Sequence, residues 1–145
     1  MKPENKKQYA VIGFVILIIV MSIILTKPAS SPLPAEGTSL VSAAVFQERF
    51  ESTPSAVLID VRTPEEYAEG HIKGAINIDA QGEDFVAKLR ELDKEVPYFV
   101  YCRSGGRSAI AVSAMKSEGI KSIVELEGGV MNAPSILDAD FSPLK

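Results

Sequence analysis

Hydrophobic and polar positions divide this chain into three regimes. Residues 9–25, YAVIGFVILIIVMSIIL, form an apolar block without a polar face, relieved only by Gly13 and Ser22. As a helix the block covers about 26 Å at roughly 1.5 Å per residue, just enough to cross a bilayer. The stretch 27–38, KPASSPLPAEGT, is rich in Pro and Ser and has no period, which suits a solvated spacer. From residue 39 onward, short apolar runs alternate with stretches of helical spacing. That alternation predicts a mostly parallel sheet covered by helices on both faces.

Within 39–145 the punctuation is explicit. Ser42 can cap a first helix with Val45, Phe46 and Phe50 at helical spacing. Residues 57–61, VLIDV, read as a buried parallel strand. The following TPEEYAEG holds a capping box, with Thr63 as N-cap, Pro64 at the first helical position and Glu66 three residues after the cap, and Gly70 ends the turn. Residues 75–78 predict a short strand, and 84–92 a helix whose buried face carries Phe85, Val86, Leu89 and Leu92. Pro97 blocks further helix before a strand at 98–101, YFVY. A helix opening near Arg107 and Ser108 runs to about Glu118, where Gly119 is placed as a C-terminal cap. A strand at 122–126, then Gly128, Gly129 and a last short helix complete the pattern.

Charge gives the apolar block a direction. Lys2, Lys6 and Lys7 precede it and only Lys27 follows within the next twenty residues, so the positive-inside rule keeps residues 1–8 in the cytoplasm. The expectation is a single-pass signal-anchor at 9–26, with the domain on the extracytoplasmic side. A cleaved secretory signal is the alternative, although the block exceeds the usual signal core and no clean A-x-A site follows. From Pro28 on, 11 Lys+Arg face 18 Asp+Glu, a net charge of −7. That balance argues against nucleic acid as a partner.

The chain has one cysteine, so no intrachain disulfide is available. Cys102 stands at the exit of the 98–101 run, directly before RSGGR. A turn of Arg103, Ser104, Gly105 and Gly106, followed by a helix N-terminus, places backbone amides and a positive dipole around a thiolate. The two glycines let those amides converge, and Arg103 and Arg107 add fixed positive charge. This is an electropositive pocket for a sulfur nucleophile and an anionic group attached to it. Asp60 and Arg62 also follow a strand end, which places them on the same edge of the sheet. His71, the only histidine, falls in the GHIKGA turn and is read as structural. One Cys and one His cannot complete a closed zinc shell, and no cofactor or metal is expected.

Three stretches, LIDVRTPEEYAEGHIKGAINI, VYCRSGGRS and ELEGG, resemble the signatures of the rhodanese domain in order and spacing, from about Leu58 to Gly129. The resemblance implies a rhodanese-like three-layer α/β fold with a five-stranded sheet, and sulfur transfer through a persulfide on Cys102. It implies that Arg103, Ser104, Gly105, Gly106 and Arg107 form the rest of the active-site loop, their amides holding the terminal sulfur. Asp60 and Arg62 match a pair that supports the site. The implied partners are a small sulfane-sulfur donor such as thiosulfate and an external thiol or cyanide acceptor. The chain departs from the family pattern in having no Trp, in Lys73, where members often carry proline, and in the segment VMNAPSILDADF.

Two other functions use similar parts. A cysteine-dependent phosphatase or arsenate reductase also sets Cys and Arg around an oxyanion, but the related phosphatases carry one more residue in the loop than the four between Cys102 and Arg107. A non-catalytic rhodanese-like binding module, anchored to display its surface, is the remaining alternative; the intact loop weighs against it.

Overall fold

The computed structural model describes residues 37–138. Five strands, β1 (Gly37–Val41), β2 (Val57–Asp60), β3 (Ile76–Asn77), β4 (Tyr98–Tyr101) and β5 (Ser122–Leu126), form one sheet in the order β1-β5-β4-β2-β3. Every pairing is parallel. Five helices alternate with them: α1 (Ala43–Glu51), α2 (Pro64–Glu69), α3 (Phe85–Glu91), α4 (Gly106–Ser117) and α5 (Gly129–Asn132), followed by a 3-10 turn at Pro134–Asp138.

The central strand explains the layers. All four residues of β4 are buried, and because side chains alternate across a strand, they feed two separate cores. Tyr98 and Val100 face α3 and α4, packing with Ile59, Leu89, Ala111 and Met115. Phe99 and Tyr101 face the opposite layer with Phe46, Phe50, Leu58, Val124 and Leu126. There, α1 sets Phe46 and Phe50 edge-on against the Phe99 ring at 5.2 and 5.3 Å, the arrangement favoured by ring quadrupoles.

The element ends agree with the local chemistry. Thr63 and Glu66 make both halves of the capping box. At the end of α4, Gly119 N–H donates to the Lys116 carbonyl and Ile120 N–H to that of Met115, a Schellman pair. Ser42 occupies the N-cap of α1, but its hydroxyl makes no capping bond.

Three expectations need correction. Strand β1 starts at Gly37, so Gly37 and Thr38 belong to the sheet and not to the spacer. Among the described residues it is an edge strand bonded only to β5, and its Thr38 and Leu40 are exposed, so no apolar pattern marks it. Val86 is 41% exposed while Phe85 and Leu89 are buried, because the buried arc of the two-turn helix α3 is too narrow to include it. The strand expected at 75–78 keeps only Ile76 and Asn77, because the Ala75 N–H turns back to the Ile72 carbonyl, while the Ile78 N–H still reaches the Asp60 carbonyl of β2.

The segment 130–141 is described to Asp138, where Val130 and Ile136 are buried in the second core. Among the described residues, no helix is long and apolar enough to cross a membrane. The anchor expected at 9–26, the cytoplasmic 1–8, positions 27–36 of the spacer and the tail 139–145 lie outside the described residues.

Candidate active site

Cys102 is the first residue beyond β4, at the carboxyl edge of the sheet, and is 1% exposed. The Gly105 amide donates to its sulfur at 3.1 Å, and the Ser108 hydroxyl lies 3.6 Å from it. Gly105 is the N-cap of α4 at φ 96°, a left-handed conformation that glycine adopts without steric cost; that conformation turns the chain so that its amide faces the sulfur. Burial pulls the thiol upward. The Ser108 hydroxyl and the amides of Ser108, Ser104 and Gly105 outweigh this and hold it below its ordinary value.

The outside of the loop is fixed by the start of α5. Val130 N–H donates to the Cys102 carbonyl at 3.0 Å and Met131 N–H to that of Arg103 at 2.9 Å. The loop's carbonyls are thereby occupied from behind, and its amides are left for the sulfur. This contact needs Gly129, which sits at φ 60°, and a Cβ there would lie 2.4 Å from the Cys102 carbonyl oxygen. Gly106, by contrast, has open space where a Cβ would stand and no positive φ; of the two loop glycines, only Gly105 is required by geometry. Gly129→Ala should therefore cost about 3 kcal/mol from strain and overlap, whereas Gly106→Ala should be close to neutral. Urea denaturation of the two variants checks this; equal stabilities would contradict it.

Asp60 and Arg62 form a fully partnered pair beside the loop. Arg62 Nε and Nη2 reach Asp60 Oδ2 at 2.9 and 2.7 Å, its backbone N–H reaches Oδ1 at 2.9 Å, and Nη2 also donates to the Gly70 carbonyl at 2.6 Å. Asn77 ties the Asp60 and Arg62 carbonyls together. The guanidinium carbon lies 5.8 Å from the centre of the Tyr101 ring, and burial followed by the Asp60 charge pushes the Tyr101 hydroxyl up. These contacts brace the ends of β2, β3 and β4. His71 is structural by geometry: its Nδ1 donates to the Tyr67 carbonyl at 2.9 Å and its ring stacks on Tyr67 at 3.7 Å.

The two loop arginines differ in surroundings. Arg107 Nη1 and Nη2 are both taken by Glu66, at 2.5 and 2.9 Å. Arg107 thus anchors α4 to α2 while its charge remains near Cys102. Glu66 was legible only as a capping-box residue; its position after β2, on the edge shared with the loop, was the available signal for this second role. Arg103 is exposed, with no hydrogen bond or ion pair from its side chain to another described residue. It lines a cavity of about 470 Å³ with Arg62, Glu66, Glu69, Met131 and Pro134. Ser104 and Gly106 are exposed at the loop surface.

The Arg107 pair holds the Glu66 carboxyl at about 2, against 4.5 ordinarily. A carboxyl lowered on folding stabilises the protein fully above its unfolded value, and that contribution disappears as pH falls toward the folded value. The stability lost in Glu66→Gln should therefore be largest at neutral pH and shrink between about 4.5 and about 2. Denaturation of both proteins across that range checks it; a constant difference would exclude the pair as the cause.

A central parallel strand delivering a buried cysteine into a loop of converging amides, with a helix N-terminus behind it, defines an α/β protein built around a cysteine anion loop. The Rhodanese-like domain family model matches residues 42–133, and the chain belongs to this family. It is 40% identical over 91 residues to Putative sulfurtransferase YtwF of Bacillus subtilis, covering 63% of this chain and 85% of that one. It is 35% identical over 75 residues to Thiosulfate sulfurtransferase GlpE of Pseudomonas entomophila, covering 51% and 66%. Among solved structures, the Rhodanese-like domain of Alr3790 from Anabaena superposes with a TM-score of 0.59 at 30% identity, covering 67% of this chain and 74% of that one.

Proposed function

We propose that the protein is a sulfurtransferase that takes a sulfane sulfur from a thiosulfate-like donor onto Cys102 as a persulfide and passes it to an external thiol or cyanide. The observation that carries this reading is the sulfur of Cys102, with the Gly105 amide 3.1 Å away and the thiol held low by its hydrogen-bond donors. A poised thiolate attacks the sulfane sulfur, the donor's S–S bond breaks, and the anion leaves with the electron pair. The amides of Ser104, Gly105 and Ser108 then face the new negative charge. With no second cysteine in the chain, the acceptor comes from outside. The relatives named as sulfurtransferases support this reading, as does a loop with only four residues between Cys102 and Arg107, one short of the phosphatase cradle.

The test is intact-mass measurement after incubation with thiosulfate: wild type should gain one sulfur that thiol or cyanide then removes. No gain would overturn the proposal. Arg103, the loop cation without a side-chain partner among the described residues, is assigned to the anionic end of the donor. Arg103→Ala should lower kcat/KM about ten- to hundredfold, the worth of one charge-assisted hydrogen bond, with an unchanged thermal midpoint. Wild-type kinetics would remove Arg103 from the site.

The same proposal places the domain outside the cytoplasmic membrane, held by a signal-anchor at 9–26. Its support is the apolar block flanked by Lys2, Lys6 and Lys7 on one side only. Protease added to right-side-out vesicles should digest the domain; digestion only in inverted vesicles would reverse the topology.

A further inference from the structure

Asp60 and Glu125 are the two buried carboxylates among the described residues. Asp60 is matched by Arg62. Glu125, 8% exposed, is paired with no cation among the described residues. It lies on β5 in register with Val100 of β4, on the sheet face that also carries Cys102 and packs against α4. Its Oε1 is 2.6 Å from the Ser108 hydroxyl, and that hydroxyl lies 3.6 Å from Sγ of Cys102. A buried carboxylate without a counter-ion is costly unless it can hold a proton. Here the nearest source of one is the thiol, one hydroxyl away.

We propose that Glu125 and Cys102 share a single proton through the Ser108 hydroxyl, which makes Glu125 the positioning residue that holds the thiol proton while the nucleophile reacts. Ser108 has one proton and three acceptors in reach: the Glu125 carboxylate, the Gly105 carbonyl at 2.9 Å and the sulfur. While the sulfur is a thiol, its proton points to the Ser108 oxygen and the Ser108 proton to the ionised Glu125, so the hydroxyl favours the thiolate only once its own proton can turn to the sulfur. When Glu125 is protonated it donates to Ser108, whose own proton is free to turn to the thiolate.

In the first half-reaction the thiol proton passes to Ser108 and the Ser108 proton to Glu125. The thiolate forms its S–S bond, and the donor's S–S bond breaks with departure of the anion. In the second, the acceptor thiol removes the outer sulfur, keeping its own proton on the new persulfide, and Cys102 regains its proton from Glu125 by the same path. Charge balances in each half, and no oxidant is needed. The charged groups around the thiol are Arg103, next to it in the loop, Arg107 on α4, matched by Glu66 on α2, and Asp79, which acts on Arg107. On the same face β4 brings only Tyr98, and β1 has no titratable side chain.

The inference rests on Cys102 as the sulfur-carrying nucleophile, but its test needs no donor. Because the chain has one cysteine, ultraviolet titration with Cys102→Ser as the blank reads thiolate formation directly. Glu125→Gln, whose amide donates as a protonated carboxyl does, should lower the midpoint by about one pH unit, a tenfold change in the thiolate ratio. The same change in a Ser108→Ala background should shift nothing. No shift, an upward shift, or equal shifts in both backgrounds would overturn the shared proton. Should Glu125→Gln fail to fold, infrared difference spectra of the wild type across the thiolate transition decide: the shared proton leaves once, so a protonated-carboxyl band and the S–H band should fade together, and a spectrum in which only the S–H band fades refutes the relay. A wild type that takes no sulfur yet shows the coupled titration would sink the function alone.

Discussion

Cys102→Ser is expected to reduce turnover with thiosulfate to the level of the reaction without protein, a loss on the order of a millionfold, as for removal of other covalent nucleophiles. Serine occupies nearly the same space, and its hydroxyl can accept from the Gly105 amide that now faces the sulfur at 3.1 Å. The fold should survive with its thermal midpoint close to that of wild type. The loop still presents its amides, but a hydroxyl at neutral pH is a poor nucleophile and cannot carry sulfane sulfur. Intact mass and kinetics measured on one preparation separate the chemistry from the fold. Residual turnover of even one per cent would mean that sulfur reaches the acceptor without residing on Cys102.

The second large effect is on stability. Arg62→Met should destabilise the protein by about 3–5 kcal/mol, because Asp60 is 0% exposed and would be left buried without its partner. The loss spreads, since Arg62 also holds the Gly70 carbonyl behind α2. Converting the pair together, with Asp60→Leu added, should recover much of the loss: well-packed apolar residues often replace a buried ion pair without net cost. A loss below about 1 kcal/mol for Arg62→Met, measured by urea denaturation, would show that water reaches Asp60 and that the brace is weaker than its geometry implies.

Both predictions concern residues visible in the sequence, Cys102 at the exit of an apolar run and Asp60 and Arg62 after another. Both runs are strand-forming, and in an open parallel sheet the carboxyl ends of strands share one edge. What their spacing could not supply was the division of labour between the arginines. Arg103 and Arg107 look alike in RSGGR, yet one lines a cavity and the other pairs with Glu66, forty-one positions away. Gly129 was legible only as part of a signature. Its role depends on how closely α5 approaches the Cys102 carbonyl, a distance that no local pattern encodes.

The sequence by itself determined the alternation of strands and helices, the capping box at Thr63, the stop at Gly119 and the position of the thiol, because each follows from local rules of periodicity and backbone conformation. The edge strand β1 escaped those rules. Its pairing lies eighty-five residues away, Gly37 with Ser122, and its exposed side chains leave no apolar trace. Tertiary structure alone decided that Glu125 meets Ser108 beneath the thiol, that Glu66 serves Arg107 as well as Thr63, and that the start of α5 closes the loop from behind. Each of these is a contact between elements distant in the chain, set by sheet order and packing and not by the residues beside it.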